Sequence, residues 1–150
     1  MSSRYSIFFC RKKPSEEFRQ ADFSSDDPEF EDKELKAFSE DNGEVIYLAE
    51  QENVGFIHYE HWQNGMLVRR LKYNNDYSWL SSDGEPEKWE IDLLFSSQNL
   101  STTLGFYEPE RHEEIRNVWE RKNIQSGDAF PILGAIDLVH IIKQFWKIST

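Results

Sequence analysis

Short apolar runs broken by turn residues fill the first two thirds of the chain, and helical spacing fills the last third. The run Tyr5-Ser6-Ile7-Phe8-Phe9-Cys10 reads as a buried strand, ended by Arg11-Lys12-Lys13 and Pro14. From Glu16 to Asp41 the chain turns acidic and carries Phe18, Phe23, Phe30 and Phe38 at wide spacing. Asp27-Pro28 has the form of an N-cap with proline at the first helical position, so Phe30, Leu35 and Phe38 are expected on one side of a short helix. The residues from Asp22 to Asp27 read as a loop.

The middle of the chain carries the clearest pattern. Residues 45–48 and 54–62 read as strands. Asn64-Gly65 supplies the two residues a type I′ turn needs, because both central positions take positive φ. Residues 66–73 return as the partner strand. Asn74-Asn75-Asp76 makes the next turn, residues 77–80 a further strand, and Asp83-Gly84-Glu85-Pro86 a loop. Residues 89–95 read as another strand, with a helix opening at Leu93 as the alternative. Residues 96–105 are polar and irregular. Pro109 starts a helix carrying Ile115, Val118 and Trp119, which ends between Asn123 and Gly127. Phe130-Pro131 opens the last helix, where Ile132, Ile136, Val139, Ile142, Phe145 and Trp146 recur at helical intervals. Strands followed by helices predict an α+β class. The expected architecture is a single domain over residues 1–150: an antiparallel meander of about five to six strands with two C-terminal helices packed on one face.

A two-residue turn at Asn64-Gly65 fixes a register. Trp62 then faces Leu67, Glu60 faces Arg69, His58 faces Leu71 and Phe56 faces Tyr73, all on the more apolar side. His61, Tyr59 and Ile57 lie on the other. Glu60 opposite Arg69 places an ion pair among apolar neighbours, where losing water costs several kcal/mol per ion unless it is compensated. Two readings follow. In one, His58, Glu60, Trp62 and Arg69 are binding residues lining a pocket between the sheet and the C-terminal helices. In the other, the pair sits partly solvated near the end of the sheet and is structural.

Composition narrows the function without naming it. The net charge is −11, and such a field repels nucleic acid and anionic membranes and favours a basic protein partner. No run approaches the roughly 18 apolar residues of a membrane-spanning helix, and no signal peptide pattern opens the chain. With one cysteine, Cys10, no internal disulfide forms, and a reducing, cytoplasmic setting is expected. His58 and His61 point to opposite faces of a strand, and His112 lacks a second histidine at helical spacing, so no metal site is expected. The glycines are scattered, with no phosphate loop and no G-x-S-x-G elbow, and no cofactor is expected. The profile suits a non-enzymatic interaction protein of the inhibitor or immunity type. The alternative is a small-molecule-binding protein or enzyme built on the pocket. The oligomeric state stays open.

Overall fold

The computed structural model describes residues 5–21, 32–51, 56–74, 78–128 and 135–148. Six strands form one antiparallel sheet in the order β2-β1-β3-β4-β5-β6. They are β1 Tyr5–Arg11, β2 Arg19–Ala21, β3 Glu44–Gln51, β4 Phe56–Gln63, β5 Met66–Asn74 and β6 Ser78–Gly84. Strands β3 to β6 are the meander that the turn residues predict. β1 joins on the far side of β3, with Phe9 opposite both Ile46 and Gln20. Helix α1, Asp32–Asn42, precedes β3, and α2 Ser97–Phe106, α3 His112–Arg121 and α4 Ala135–Trp146 follow the sheet. The fold is α+β.

Both faces of the sheet are buried. One presents Ile7, Phe9, Ile46, Leu48, Tyr59 and Leu71, which cluster with Ile115 and Val118 of α3 and Ile142 of α4. The other presents Phe8, Val45, Tyr47 and Trp62, closed over by Leu35 and Phe38 of α1. Helices were expected on one face, and α1 adds a layer on the second. The reason is visible in β1 and β3. Ile7-Phe8-Phe9-Cys10 and Val45-Ile46-Tyr47-Leu48 are apolar at consecutive positions, so neither face of these strands tolerates water. Each such side chain fully buried contributes about 1.5–3 kcal/mol.

The turn forms as predicted, with φ 48° at Asn64 and 86° at Gly65, and Trp62 lies opposite Leu67. One row further the register shifts. His61 lies opposite Arg69, which leaves Val68 as an extra residue in β5. Glu60 therefore faces Arg70, Tyr59 faces Leu71, His58 faces Lys72 and Ile57 faces Tyr73. These pairs replace the expected Glu60–Arg69, His58–Leu71 and Phe56–Tyr73. Gly84 at the end of β6 fits against this bulge. Its φ is +87°, and a Cβ there would stand 2.1 Å from the carbonyl oxygen of Val68, so only glycine can occupy the position. The expected loop at Asp83-Gly84 is instead the last step of a strand.

Two further expectations are corrected after the sheet. The predicted strand at 89–95 is replaced by a turn of π-helix, Glu90–Leu94. Trp89, Glu90, Leu94 and Phe95 are buried while Ile91, Asp92 and Leu93 are exposed, which is a helical spacing and not an alternation. Residues 97–106 form α2 where an irregular segment was expected. Ser96 caps it by accepting a hydrogen bond from the Asn99 N–H at 3.1 Å. The inward side of α2 consists of Asn99, Leu100, Thr103 and Leu104. Two of these four are polar, which hides the stripe from a hydrophobicity pattern. Three helices, not two, thus follow the sheet. Pro109 opens a 3-10 turn that leads into α3. The expectations for Asp22 to Asp27, Asp27-Pro28, Phe23, Phe30, Asn75-Asp76 and Phe130-Pro131 lie outside the described residues.

Candidate functional site

Residues 58, 60 and 62 alternate along β4 and share the face under α1. Glu60 is the centre of the group they form. His58 Nε2 lies 2.5 Å from Glu60 Oε2, and the Trp62 indole N–H donates to Oε1 at 2.8 Å. Arg70 Nη2 donates to the same Oε1 at 3.1 Å and to Asp32 Oδ1, at the start of α1, at 2.5 Å. Burial pushes the Glu60 carboxyl up, but the bonds from His58, Arg70 and Trp62 outweigh it and hold the group at about 2. Burial pushes His58 down, against the pull of Glu60. Three of the four sequence-predicted residues, His58, Glu60 and Trp62, are thus brought together. They lie under α1, not between the sheet and the C-terminal helices.

The fourth, Arg69, is on the opposite face because of the Val68 bulge, and Arg70 takes its place beside Glu60. Arg69 donates through Nε and Nη2 to Glu90 Oε2 and Oε1 at 2.9 and 2.6 Å, a two-pronged pair with both side chains 0% exposed. Its Nη1 donates to Ser82 Oγ at 3.1 Å and to the Gly84 carbonyl at 2.8 Å. Glu90 also accepts from the Glu87 N–H at 2.8 Å. Burial pushes the Glu90 carboxyl up while Arg69 pulls it down. This pair is what the π-helical turn positions, since Glu90 is its first residue.

A second group, on the face covered by the C-terminal helices, was not anticipated. His61 is 3% exposed, with Nδ1 2.5 Å from Glu87 Oε2 and Nε2 2.6 Å from Glu44 Oε2. Glu44 pairs with Gln63 across β3 and β4, which makes it a diagonal neighbour of His61 on the same face. Glu44 also accepts from Arg11 Nε at 2.5 Å and from Gln63 at 2.9 Å. Glu87 accepts from the Tyr59 hydroxyl at 2.6 Å, and the Tyr59 oxygen accepts from the Trp146 indole N–H at 3.1 Å. Burial pulls His61 down, but its bonds to Glu44 and Glu87 and their charges outweigh it and lift the ring to about 9. Burial also raises Glu44, while His61, Gln63 and Arg11 hold it at about 2. The alternation of β4 placed His61 with Tyr59 in the sequence. Glu87 and Trp146 arrive from distant segments and left no local signal.

Every ionised group in these clusters meets a counter-charge or a donor within the fold. Among the described residues no group of three or more His, Cys, Asp or Glu is placed to hold a metal ion, and no helix is long and apolar enough to cross a membrane. Cys10 is buried, with its thiol 4.0 Å from Asn42 Oδ1. No protein-family model, no curated protein and no solved structure matches the chain.

Proposed function

We propose that the protein is a non-catalytic binding domain that presents an acidic surface to a basic protein partner, in the manner of a small inhibitor or immunity-type protein. The observation that carries this reading is that the ion pairs against the sheet neutralise one another while an acidic run beside α3 stays exposed. Inside, Glu44, Glu60, Glu87 and Glu90 are matched by Arg11, Arg70, His61 and Arg69. With His61 protonated these four pairs cancel, so the net negative charge of the chain is carried by its other residues. Glu108, Glu110, Glu113 and Glu114 are exposed around the approach to α3. Phe106, 73% exposed, stands at the end of α2 just before them. A large exposed ring beside a charged run has the composition of an interface anchor with a polar rim. A field of this sign speeds encounter with a basic protein and discourages nucleic acid and anionic membrane. The histidines and carboxylates suited to proton transfer are turned inward and bonded to one another, which supports binding over catalysis. The single buried thiol suits a reducing, cytoplasmic setting.

Affinity capture from the native cells, followed by titration calorimetry with the purified captured protein, tests the reading. The expected partner is basic, with an affinity that falls steeply as salt is raised. A variant reversing Glu108, Glu110, Glu113 and Glu114 to lysine is expected to lose most of the binding while keeping its circular dichroism spectrum. Binding that ignores both salt and charge reversal would refute acidic steering.

A further inference from the structure

We propose that His61 is the central member of a polar latch that docks helix α4 on the sheet, and that the latch opens when the imidazolium loses its proton. A neutral imidazole carries one N–H. Here both ring nitrogens lie within 2.5–2.6 Å of carboxylate oxygens, Glu87 on one side and Glu44 on the other. Against two ionised carboxylates both contacts are hydrogen bonds when each nitrogen donates, so the geometry fits the protonated ring.

From His61 the connection runs to α4 without a break. Glu87 accepts from Tyr59, Tyr59 accepts from the Trp146 indole, and the Trp146 ring stands with its centroid 4.9 Å from that of His61. Ile142 and Ile148 bury the rest of this attachment. The charged and titratable groups around the ring come from several elements. β1 contributes Arg11, held on Glu44; β3 contributes Glu44; β4 contributes Tyr59. β5 contributes Arg69, directly opposite His61 and committed to Glu90, while the segment before the π-helical turn contributes Glu87. From α4 the neighbour is the uncharged indole.

Removing the proton leaves one N–H for two carboxylates. Glu44 keeps Arg11 and Gln63 as donors. Glu87 keeps the Tyr59 hydroxyl and, at 3.3 Å, the Trp89 indole, but no cation among the described residues. A half-buried carboxylate without a counter-charge recruits water. Glu87 then withdraws from Tyr59, and the Trp146 anchor is lost with it. The ring's proton affinity in the fold, about 9, is raised above its ordinary 6.5. Stabilisation by the latch is therefore complete below about 6.5 and is lost as pH rises through about 9. The device operates whether or not a partner is bound.

Amide hydrogen exchange of the intact protein, corrected for the intrinsic effect of pH, tests the latch. Raising the pH through the window is expected to cost α4 amides at least ~tenfold in protection while β3 and β4 amides stay protected. His61→Gln is expected to show the loosened α4 already at neutral pH, with no further change on raising it. Trp146→Phe keeps the ring but removes the indole N–H, and is expected to shift the opening to lower pH. Nitrogen NMR of the His61 ring is expected to show two protons at neutral pH. A ring with one proton there, an α4 whose protection does not change through the window, or equal loss of protection in α4 and the sheet would each overturn the proposal.

Discussion

Glu60 accepts from three side chains at once and is held far below the usual carboxylate range. Glu60→Ala strips the acceptor from His58 and Trp62 and leaves Arg70 with Asp32 alone. We expect it to cost about 3–5 kcal/mol in urea denaturation, and a loss below ~1 kcal/mol would mean the cluster behaves as a solvated surface pair. The pH dependence has a definite sign. The folded value near 2 lies below the ordinary 4.5, so the contribution of Glu60 is complete above 4.5 and disappears as pH falls through 2. The stability gap between the parent protein and Glu60→Gln should close over that window. Arg69 makes a complementary case. Arg69→Met strands the Glu90 carboxylate in a dry site and should also cost about 3–5 kcal/mol. Arg69→Met combined with Glu90→Met should cost clearly less than the two single changes added together, because it removes both buried charges. Strict additivity would mean that the two side chains do not act as a pair.

At the scale of the element, the bulge in β5 decides which side chains meet. The hairpin signal was legible in Asn64-Gly65, and the pairing of Trp62 with Leu67 followed from it. The insertion at Val68 was not legible within the hairpin, because its support comes from β6. Gly84→Ala places a Cβ against the Val68 carbonyl at a positive φ and should destabilise by more than about 1 kcal/mol. Gly105, on α2, has open space around it. Gly105→Ala should stabilise by about 0.5–1 kcal/mol through helix propensity. Thermal melts of the two variants should move in opposite directions, and a shift of the same sign in both would remove Gly84 as the support of the bulge. Helix α2 was hidden for a different reason. Asn99 satisfies itself on the Leu94 carbonyl at 2.6 Å, so a polar residue occupies an inward position that a hydrophobicity pattern reads as outward.

At the scale of the whole molecule the chain is strongly acidic, with a net charge of −11, while the ion pairs against the sheet cancel one another. Surface repulsion is screened by salt, whereas a pair such as Arg69–Glu90 is screened far less. Moderate sodium chloride should therefore raise the melting temperature of the isolated protein. A fall would mean that exposed attractive pairs such as Lys88–Asp92 and Arg111–Glu114 outweigh the repulsion.

The residues alone determined the α+β class, the meander, the turn at Asn64-Gly65 and the sharing of one face by His58, Glu60 and Trp62. These rest on period, turn chemistry and alternation, which act over a few neighbouring positions. Tertiary structure decided that Arg70 and not Arg69 reaches Glu60, that α1 covers the second face, and that His61 lies between Glu44 and Glu87. Each of those contacts joins segments that no local pattern links, and a single inserted residue in β5 is enough to move the side chains beyond it to the other side of the sheet.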